Sequence, residues 1–203
     1  MARRRVARLR PSPEQAARRL AHSCARVLGP SLVSAILHGS AVTGDFRPGR
    51  SDLALILVVD RALSPGQAAA LTRAVGAADP SPAAGVDLLV VTVTAARDPA
   101  RHPARELAVW RPGTPCTPGA PGPAGTALEV DGRADHVPDL WPELSEARTI
   151  GRSLLGAEPH SILAEVPAAR VHDNGLHWLR TWLGRPDDAE HAVHMVLTAC
   201  RIL

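Results

Sequence analysis

The sequence predicts a small mixed α/β sheet covered by helices, followed by a small α-helical domain. Three apolar runs of strand length lie in the first hundred residues, at 32–38, 53–59 and 86–93. Segments of helical periodicity precede the first run and follow the second, and each begins with Ser-Pro, which is typical of an N-cap followed by proline. From residue 139 onward, the apolar residues recur at helical spacing. This order of elements predicts the two parts.

Composition is that of a globular protein and excludes several classes. Hydrophobic residues make up 45% of the 203 residues, and aromatic residues only 2%, so we expect a core of Ala, Leu and Val. No apolar run is long enough for a membrane span, and no apolar stretch follows the basic N-terminus as in a signal peptide. The three cysteines are widely spaced without a CxxC pair, which indicates reduced thiols. We therefore expect a cytoplasmic protein with no membrane partner.

The charge pattern does not favour nucleic acid as a partner. The net charge is +3, and every basic side chain is arginine because the chain contains no lysine. Arginines cluster within residues 1–11, but no basic stripe continues through the chain and no aromatic residues interleave with it. We interpret this cluster as a solvated leader. The absence of lysine also excludes any lysine-dependent chemical step within these residues.

Four segments follow from these patterns. Residues 1–11 form the basic leader, and residues 12–110 form the α/β domain. Residues 111–138 begin with a stretch crowded with Pro and Gly, which predicts an exposed loop or linker without a packed core of its own. Residues 139–203 form the helical domain, with its last helix over 187–203. The apolar residues at the end of this helix favour contact with a second copy of the chain in a homodimer.

One stretch carries most of the chemical signal, the connection between the first two predicted strands. Gly39 and Ser40 follow the first strand, and Ser51 and Asp52 lead into the second. Glycine lets the backbone approach a ligand phosphate closely, and a serine hydroxyl adds a donor. A carboxylate beside bound phosphates is suited to holding a divalent cation. The alternatives are an ordinary strand exit at Gly39 and Ser40, and a structural cap at Asp52.

A second carboxylate lies in the third predicted strand. The run at 86–93 is apolar except for Asp87 near its beginning and one threonine, Thr92. A carboxylate is costly to bury without a partner, so its presence in such a strand favours a role in a site. Asp87 is therefore a candidate catalytic residue.

These motifs together resemble the signature of the polymerase-β-type nucleotidyltransferase superfamily. Within it, the chain resembles the aminoglycoside (3'')(9) adenylyltransferases of streptomycin and spectinomycin resistance. The residues that carry the resemblance are His38-Gly39-Ser40-Ala41-Val42, Gly44, Pro48, Ser51-Asp52, Arg105-Glu106-Leu107, Leu154-Leu155-Gly156, Val166-Pro167, Val196-Leu197-Thr198, Arg201 and Ile202. The resemblance covers nearly the whole chain. It implies a nucleotidyltransferase α/β domain followed by a small helical domain.

The resemblance also implies an activity and the residues that support it. Members of the family transfer AMP from ATP to a hydroxyl of the antibiotic, with Mg²⁺. The nucleotide-binding residues implied here are Gly39, Ser40, Ser51 and Arg201. Asp52 would bind the metal, and Asp87 falls where the family places a glutamate as general base. The implied cofactors are therefore ATP and Mg²⁺, and the implied partner is a small-molecule substrate.

Tryptophans and one further aspartate are implied in substrate binding. Trp182 and Asp187 match family positions that stack on the cationic drug and hydrogen-bond to it, and Trp110 is a candidate for the opposite aromatic wall. An aromatic face with a carboxylate suits a polycationic sugar. For the other two tryptophans, Trp141 and Trp178, we expect core packing.

The metal motif is degenerate. The family has Asp-x-Asp at the start of the second strand, and this chain has Ala54 where the second aspartate belongs. Residues 52 and 54 would project from the same face of the strand, so Ala54 removes one of two carboxylates that face the metals. The chain also ends where family members continue through helices that carry a nucleotide-contacting lysine, so we expect a shortened helical domain.

Three functional hypotheses follow. We favour an enzyme, a nucleotidyltransferase that adenylylates an aminoglycoside-like small molecule. The alternative is a catalytically degenerate protein, a pseudoenzyme that uses the same fold as a binding or scaffold module. In a third hypothesis the site performs metal-independent chemistry on another small molecule, with Asp87 and nearby histidines as acid and base.

Overall fold

The computed structural model describes residues 11–111 and 128–183. In these ranges the strands are β1 (Leu32–His38), β2 (Leu53–Val59), β3 (Val86–Thr92), β4 (Leu107–Arg111), β5 (Glu129–Asp131) and β6 (Arg152–Gly156). The helices are α1 (Pro13–Leu28), α2 (Ser40–Thr43), α3 (Pro65–Ala77), α4 (Val93–Arg97), α5 (Leu140–Ile150), α6 (Pro159–Ile162) and α7 (Ala168–Leu183). None of the helices within these ranges has both the length and the apolar character needed to cross a membrane.

The six strands form one mixed sheet in the order β5-β4-β3-β2-β1-β6. Strands β2 and β3 run parallel, with α3 as their crossover, and every other neighbouring pair is antiparallel. The predicted α/β sheet is therefore confirmed.

Apolar content explains the three strands that the sequence predicts. β1 and β2 span the two runs that the sequence predicts, and β3 ends one residue earlier than its predicted run. Six of the seven residues of β2 are buried, because β1 and β3 flank this strand and helices lie on both of its faces.

The two Ser-Pro signals also begin helices as predicted. Ser12 caps α1, since its hydroxyl accepts a hydrogen bond from the Gln15 backbone N–H at 3.2 Å. Ser64 caps α3 in the same way through Gln67, also at 3.2 Å. In both cases the glutamine side chain accepts in return from the cap residue's N–H, forming a capping box.

Two apolar clusters lie on opposite faces of the sheet. The first packs α1 and α3 against alternate strand residues; its sheet members include Leu37, Leu55, Leu57, Leu88 and Val109. The second packs α4, α5 and α6 against the other face, where Ile36, Ile56 and Val91 are buried. Strand residues alternate between the two clusters because successive side chains point to opposite faces.

Beyond the three predicted runs, the sheet contains β4, β5 and β6. Helix α5 ends before Gly151 as expected, but the next residues form β6, which pairs with β1 at the sheet edge. This strand has only five residues and one buried position, so its sequence pattern is weak. The division at residue 139 and the homodimer contact stay predictions, and the helix expected over 187–203 lies outside the described residues.

The tryptophans of the helical part differ in their surroundings. Trp141 is 7% exposed and its indole N–H donates to the Pro99 carbonyl at 2.8 Å, so the predicted core position is confirmed. Trp178 is half-buried and donates to Asp139 Oδ1 at 2.6 Å, and Asn174 donates to the same oxygen at 2.9 Å. Through these two hydrogen bonds α7 is attached to the start of α5.

Gly156 provides a test of the β1–β6 pairing. Its φ is 78°, and an added Cβ would overlap the carbonyl of Val33, which accepts a hydrogen bond from Ala157. We expect Gly156→Ala to lose about 2–5 kcal/mol of unfolding free energy, measured by denaturant unfolding. At Gly132 an added Cβ meets no described atom within 4 Å, so Gly132→Ala is the control. Equal losses in the two variants would contradict the pairing.

Candidate active site

Four strands place one residue each at the same level of the sheet. His38 on β1 pairs with Ala54 on β2, Ala54 pairs with Asp87 on β3, and Asp87 pairs with Trp110 on β4. Adjacent strands lie about 4.8 Å apart, so the row spans roughly 14 Å. We call these four residues the site row.

The site row lies where one face of the sheet opens to solvent. It shares the face covered by α4, α5 and α6, but it lies at the ends of the strands. Asp87 is exposed, Trp110 is 40% exposed and Ala54 is half-buried. His38 is buried, at 4% exposure. A ligand can therefore reach the middle of the row from solvent.

The turn after β1 lies over the row. Gly39 has a φ of 70°, a backbone conformation that favours glycine, and its Cα is close to position 54, since an added Cβ would lie 3.6 Å from the Ala54 Cβ. Ser40 follows as the first residue of the short helix α2 and is half-buried. The predicted phosphate-binding pair is thus next to the predicted metal-binding strand.

Ser51 supports the connection between β1 and β2. Its hydroxyl accepts a hydrogen bond from the Arg47 backbone N–H at 3.0 Å, and its own N–H donates to the Arg47 carbonyl at 2.9 Å. The Ser51 carbonyl accepts from the Ala84 N–H at 2.9 Å, which attaches the connection to the start of β3. The hydroxyl proton can still be donated to a ligand.

Asp52 and Asp87 lie close enough to interact. Burial raises the pKa of Asp52, and this effect outweighs hydrogen bonds from Trp110 and the Gly85 backbone. Asp87 has an exposed surface, yet the surrounding protein atoms displace part of its hydration. This desolvation raises the pKa of Asp87; the charge of Asp52 raises it further and that of His38 opposes it. A cation beside these two carboxylates would offset their repulsion.

His38 forms a second group with two glutamates of α5. Its Nδ1 lies 3.2 Å from Glu146 Oε2 and 3.6 Å from Glu143 Oε2. Burial alone would lower the pKa of His38, but the hydrogen bond to Glu146 and the charges of both glutamates and Asp87 outweigh it, so the pKa is raised. The protonated form of His38 is therefore favoured. The resulting imidazolium forms ion pairs that connect the end of β1 to α5. We call these three residues the His38 cluster.

The His38 cluster also has the composition of a metal site. The three ligand atoms lie within 4.8 Å of one another, and no other group of three or more His, Cys, Asp and Glu residues in the described ranges does so. The sequence analysis did not select Glu143 or Glu146, because 108 residues separate Glu146 from His38. The available signal was their spacing, since residues at i and i+3 share a helix face.

Other predicted site residues are placed in part or not at all. Trp110 lies in the site row and hydrogen-bonds through its side chain to Asp52. Trp182 lies in the last turn of α7, but its side chain is outside the described residues, as are Asp187 and Arg201. The structure thus brings together Gly39, Ser40, Ser51, Asp52, Asp87 and Trp110 at one end of the sheet.

Comparison with known proteins identifies the fold. No protein-family model matches the chain, and no curated protein sequence matches it. The crystal structure of spectinomycin adenyltransferase AAD(9) from Enterococcus faecialis, with ATP and spectinomycin, matches with a TM-score of 0.65. The match covers 91% of this chain and 72% of that chain, at 18% identity. The chain has a nucleotidyltransferase-like fold. The predicted fold class is confirmed, and the relationship is established at the level of the fold.

Replacing His38 with glutamine should remove a pH-dependent part of the stability. Because folding raises the pKa of His38 above 6.5, the resulting stabilisation is complete below pH 6.5 and is lost as the pH rises through the folded-state pKa. As the pH rises above 6.5, we expect the unfolding free energy of the wild type to fall relative to that of His38→Gln. Denaturant unfolding in the presence of a chelator measures this difference.

The exposed His102 provides the matched control for this experiment. His102→Gln should keep the pH dependence of the wild type. If His38→Gln keeps it as well, the imidazolium pair with α5 does not form.

Proposed function

We propose that the protein is a nucleotidyltransferase that transfers AMP from ATP to a hydroxyl of an aminoglycoside-like small molecule. The observation that carries this proposal is the position of Asp52 and Asp87 near Gly39 and Ser40, at the same end of the sheet. The fold of the spectinomycin adenyltransferase, which was solved with ATP and spectinomycin, supports the same class of reaction. Antibiotic resistance is the biological role that this activity would serve.

The residues present fit a divalent cation. Asp52 is close enough to Asp87 for its charge to raise the pKa of that carboxyl, so an ion held by Asp52 would lie near Asp87. Mg²⁺ prefers such oxygen ligands, and when bound it would neutralise charge on the phosphates. Without a cation, these carboxylates would repel a triphosphate. Asp52 is the residue that would hold Mg²⁺, Asp87 would remain free to act as a base, and Gly39 and Ser40 are those that would bind the triphosphate.

The reaction requires a group that accepts the hydroxyl proton and a site that binds the departing pyrophosphate. The substrate hydroxyl oxygen forms a bond to the α-phosphorus of ATP, the bond from that phosphorus to the bridging oxygen breaks, and pyrophosphate leaves. Asp87 accepts the hydroxyl proton. Its raised pKa brings it closer to neutral pH, which makes it a better base than an ordinary aspartate. Its exposure lets a substrate hydroxyl reach the carboxylate.

The surroundings of the row favour a cationic substrate. Trp110 provides a 40% exposed aromatic face next to Asp87, and Glu143 adds a half-exposed carboxylate near the same edge. An aromatic face with carboxylates suits the ammonium groups of an aminoglycoside. We propose Trp182 and Asp187 as further substrate-binding residues, and Arg201 as a phosphate-binding residue, on the family resemblance.

One observation favours a second candidate function. Ala54 occupies the middle of the site row, so the position between His38 and Asp87 has no carboxylate. Losing a group that stabilises charge in the transition state costs about 10²–10³ in rate. A protein with this change can keep nucleotide binding without efficient transfer. The second candidate is therefore a nucleotide-binding module without catalysis.

Replacing Asp87 with asparagine should abolish transfer and preserve the fold. We expect the rate to fall by about 10²–10⁴, since the general base is lost.

Wild-type activity should also fall on acidification with a midpoint above pH 3.8, because the pKa of Asp87 is raised from that value and the protonated carboxyl accepts no proton. Release of pyrophosphate and the mass of the adenylylated product, with ATP, Mg²⁺ and a panel of aminoglycosides, measure the activity.

The control and the outcomes separate the two candidates. Asp60 lies at the opposite end of β2, ~25 Å from Asp52 along the strand, so Asp60→Asn should leave activity unchanged. Ala54→Asp restores the missing carboxylate and should raise the rate. Binding of ATP without product, even in Ala54→Asp, would contradict the transferase and support the binding module. Failure to bind any nucleotide would contradict both candidates.

A further inference from the structure

The His38 cluster has no part in the proton transfer described above. It joins the last residue of β1 to α5 through Glu143 and Glu146, one strand away from Ala54. The imidazole is buried, and two partly exposed carboxylates converge on it. Burying a charged group costs free energy unless a counter-charge compensates. The chemistry of this group therefore calls for an explanation of its own.

The spacing of the cluster matches that of ligands around one metal ion. A first-row dication binds nitrogen and oxygen at about 2.0–2.2 Å, so neighbouring ligand atoms lie about 3.0–3.5 Å apart. The Nδ1 of His38 lies 3.2 Å from Glu146 Oε2 and 3.6 Å from Glu143 Oε2. An ion would need only small side-chain shifts to bind all three atoms.

Burial and charge fit the same interpretation. His38 is 4% exposed, which fixes the imidazole, while the side chains of Glu146 and Glu143 are 31% and 47% exposed. An ion can therefore enter from the side of α5. Two carboxylates balance the charge of a dication when the imidazole is neutral. The imidazole nitrogen favours Zn²⁺ and other divalent first-row transition metals over Mg²⁺ or Ca²⁺, which prefer oxygen ligands alone.

We propose that His38, Glu143 and Glu146 form a binding site for a transition-metal dication such as Zn²⁺, distinct from the Asp52 and Asp87 pair. Three protein ligands leave at least one coordination position for water or a ligand atom. Since His38 pairs directly with Ala54, the ion would lie one strand from the position where the carboxylate is missing. An ion at this position would supply positive charge near the triphosphate. That role rests on the proposed function, but the binding of the metal ion itself does not.

Titration of the chelator-treated full chain with Co²⁺ tests the site. We expect visible absorption from ligated Co²⁺ that saturates at one ion per chain and is displaced by Zn²⁺. His38→Gln and Glu146→Gln should each weaken binding by at least about 100-fold, since even partners of metal ligands contribute 10–100-fold. Circular dichroism and denaturant unfolding confirm that each variant is folded, and the double variant Glu143→Gln with Glu146→Gln provides a second test that retains the histidine.

Two controls separate this proposal from the proposed function. Glu158 is exposed before α6, so Glu158→Gln should bind Co²⁺ as the wild type does. Asp52→Asn should also keep the Co²⁺ signal, while it should lose transfer with Mg²⁺ and ATP. If Co²⁺ does not bind, or binds equally to the wild type and the His38 cluster variants, the cluster holds a proton and the metal site is refuted. If Co²⁺ binds as expected but no transfer occurs, only the proposed function fails.

Discussion

The register of four neighbouring strands is the constraint on which the site depends. Backbone hydrogen bonds from β1 to β4 set His38, Ala54, Asp87 and Trp110 at one level of the sheet. Because side chains alternate between faces, a slip of one residue in any strand would turn its site residue into the apolar cluster under α1 and α3. The apolar residues of that cluster thus hold the polar residues of the other face in position.

Charge links this end of the sheet to the helical part of the chain. Three carboxylates, those of Asp87, Glu143 and Glu146, act on one buried imidazole, and Asp52 lies next to Asp87. The repulsion between these carboxylates favours protons or metal ions as counter-charges. Since His38 also pairs β1 with α5, the same charges help to position the helix that carries two of them.

Sequence patterns predicted the parts of the fold that depend on local signals. The continuous apolar runs gave β1 and β2, and Ser-Pro caps gave α1 and α3. β6 was missed because a five-residue edge strand with one buried side chain lacks a distinctive period. Asp52 and Asp87 were predicted as site residues from carboxylates at strand starts. The His38 cluster was missed because only tertiary packing brings α5 to the end of β1.

The position of a bound nucleotide is the most direct test of the central claim, that the turn after β1 and the paired aspartates form one nucleotide site. A crystal structure of the full chain with a non-hydrolysable ATP analogue and Mn²⁺, located by its anomalous scattering, gives this position. We expect the triphosphate against Gly39 and Ser40, with the ion bound to Asp52 and with Asp87 nearby. A nucleotide bound away from the site row, or an ion that does not contact Asp52, would contradict the claim.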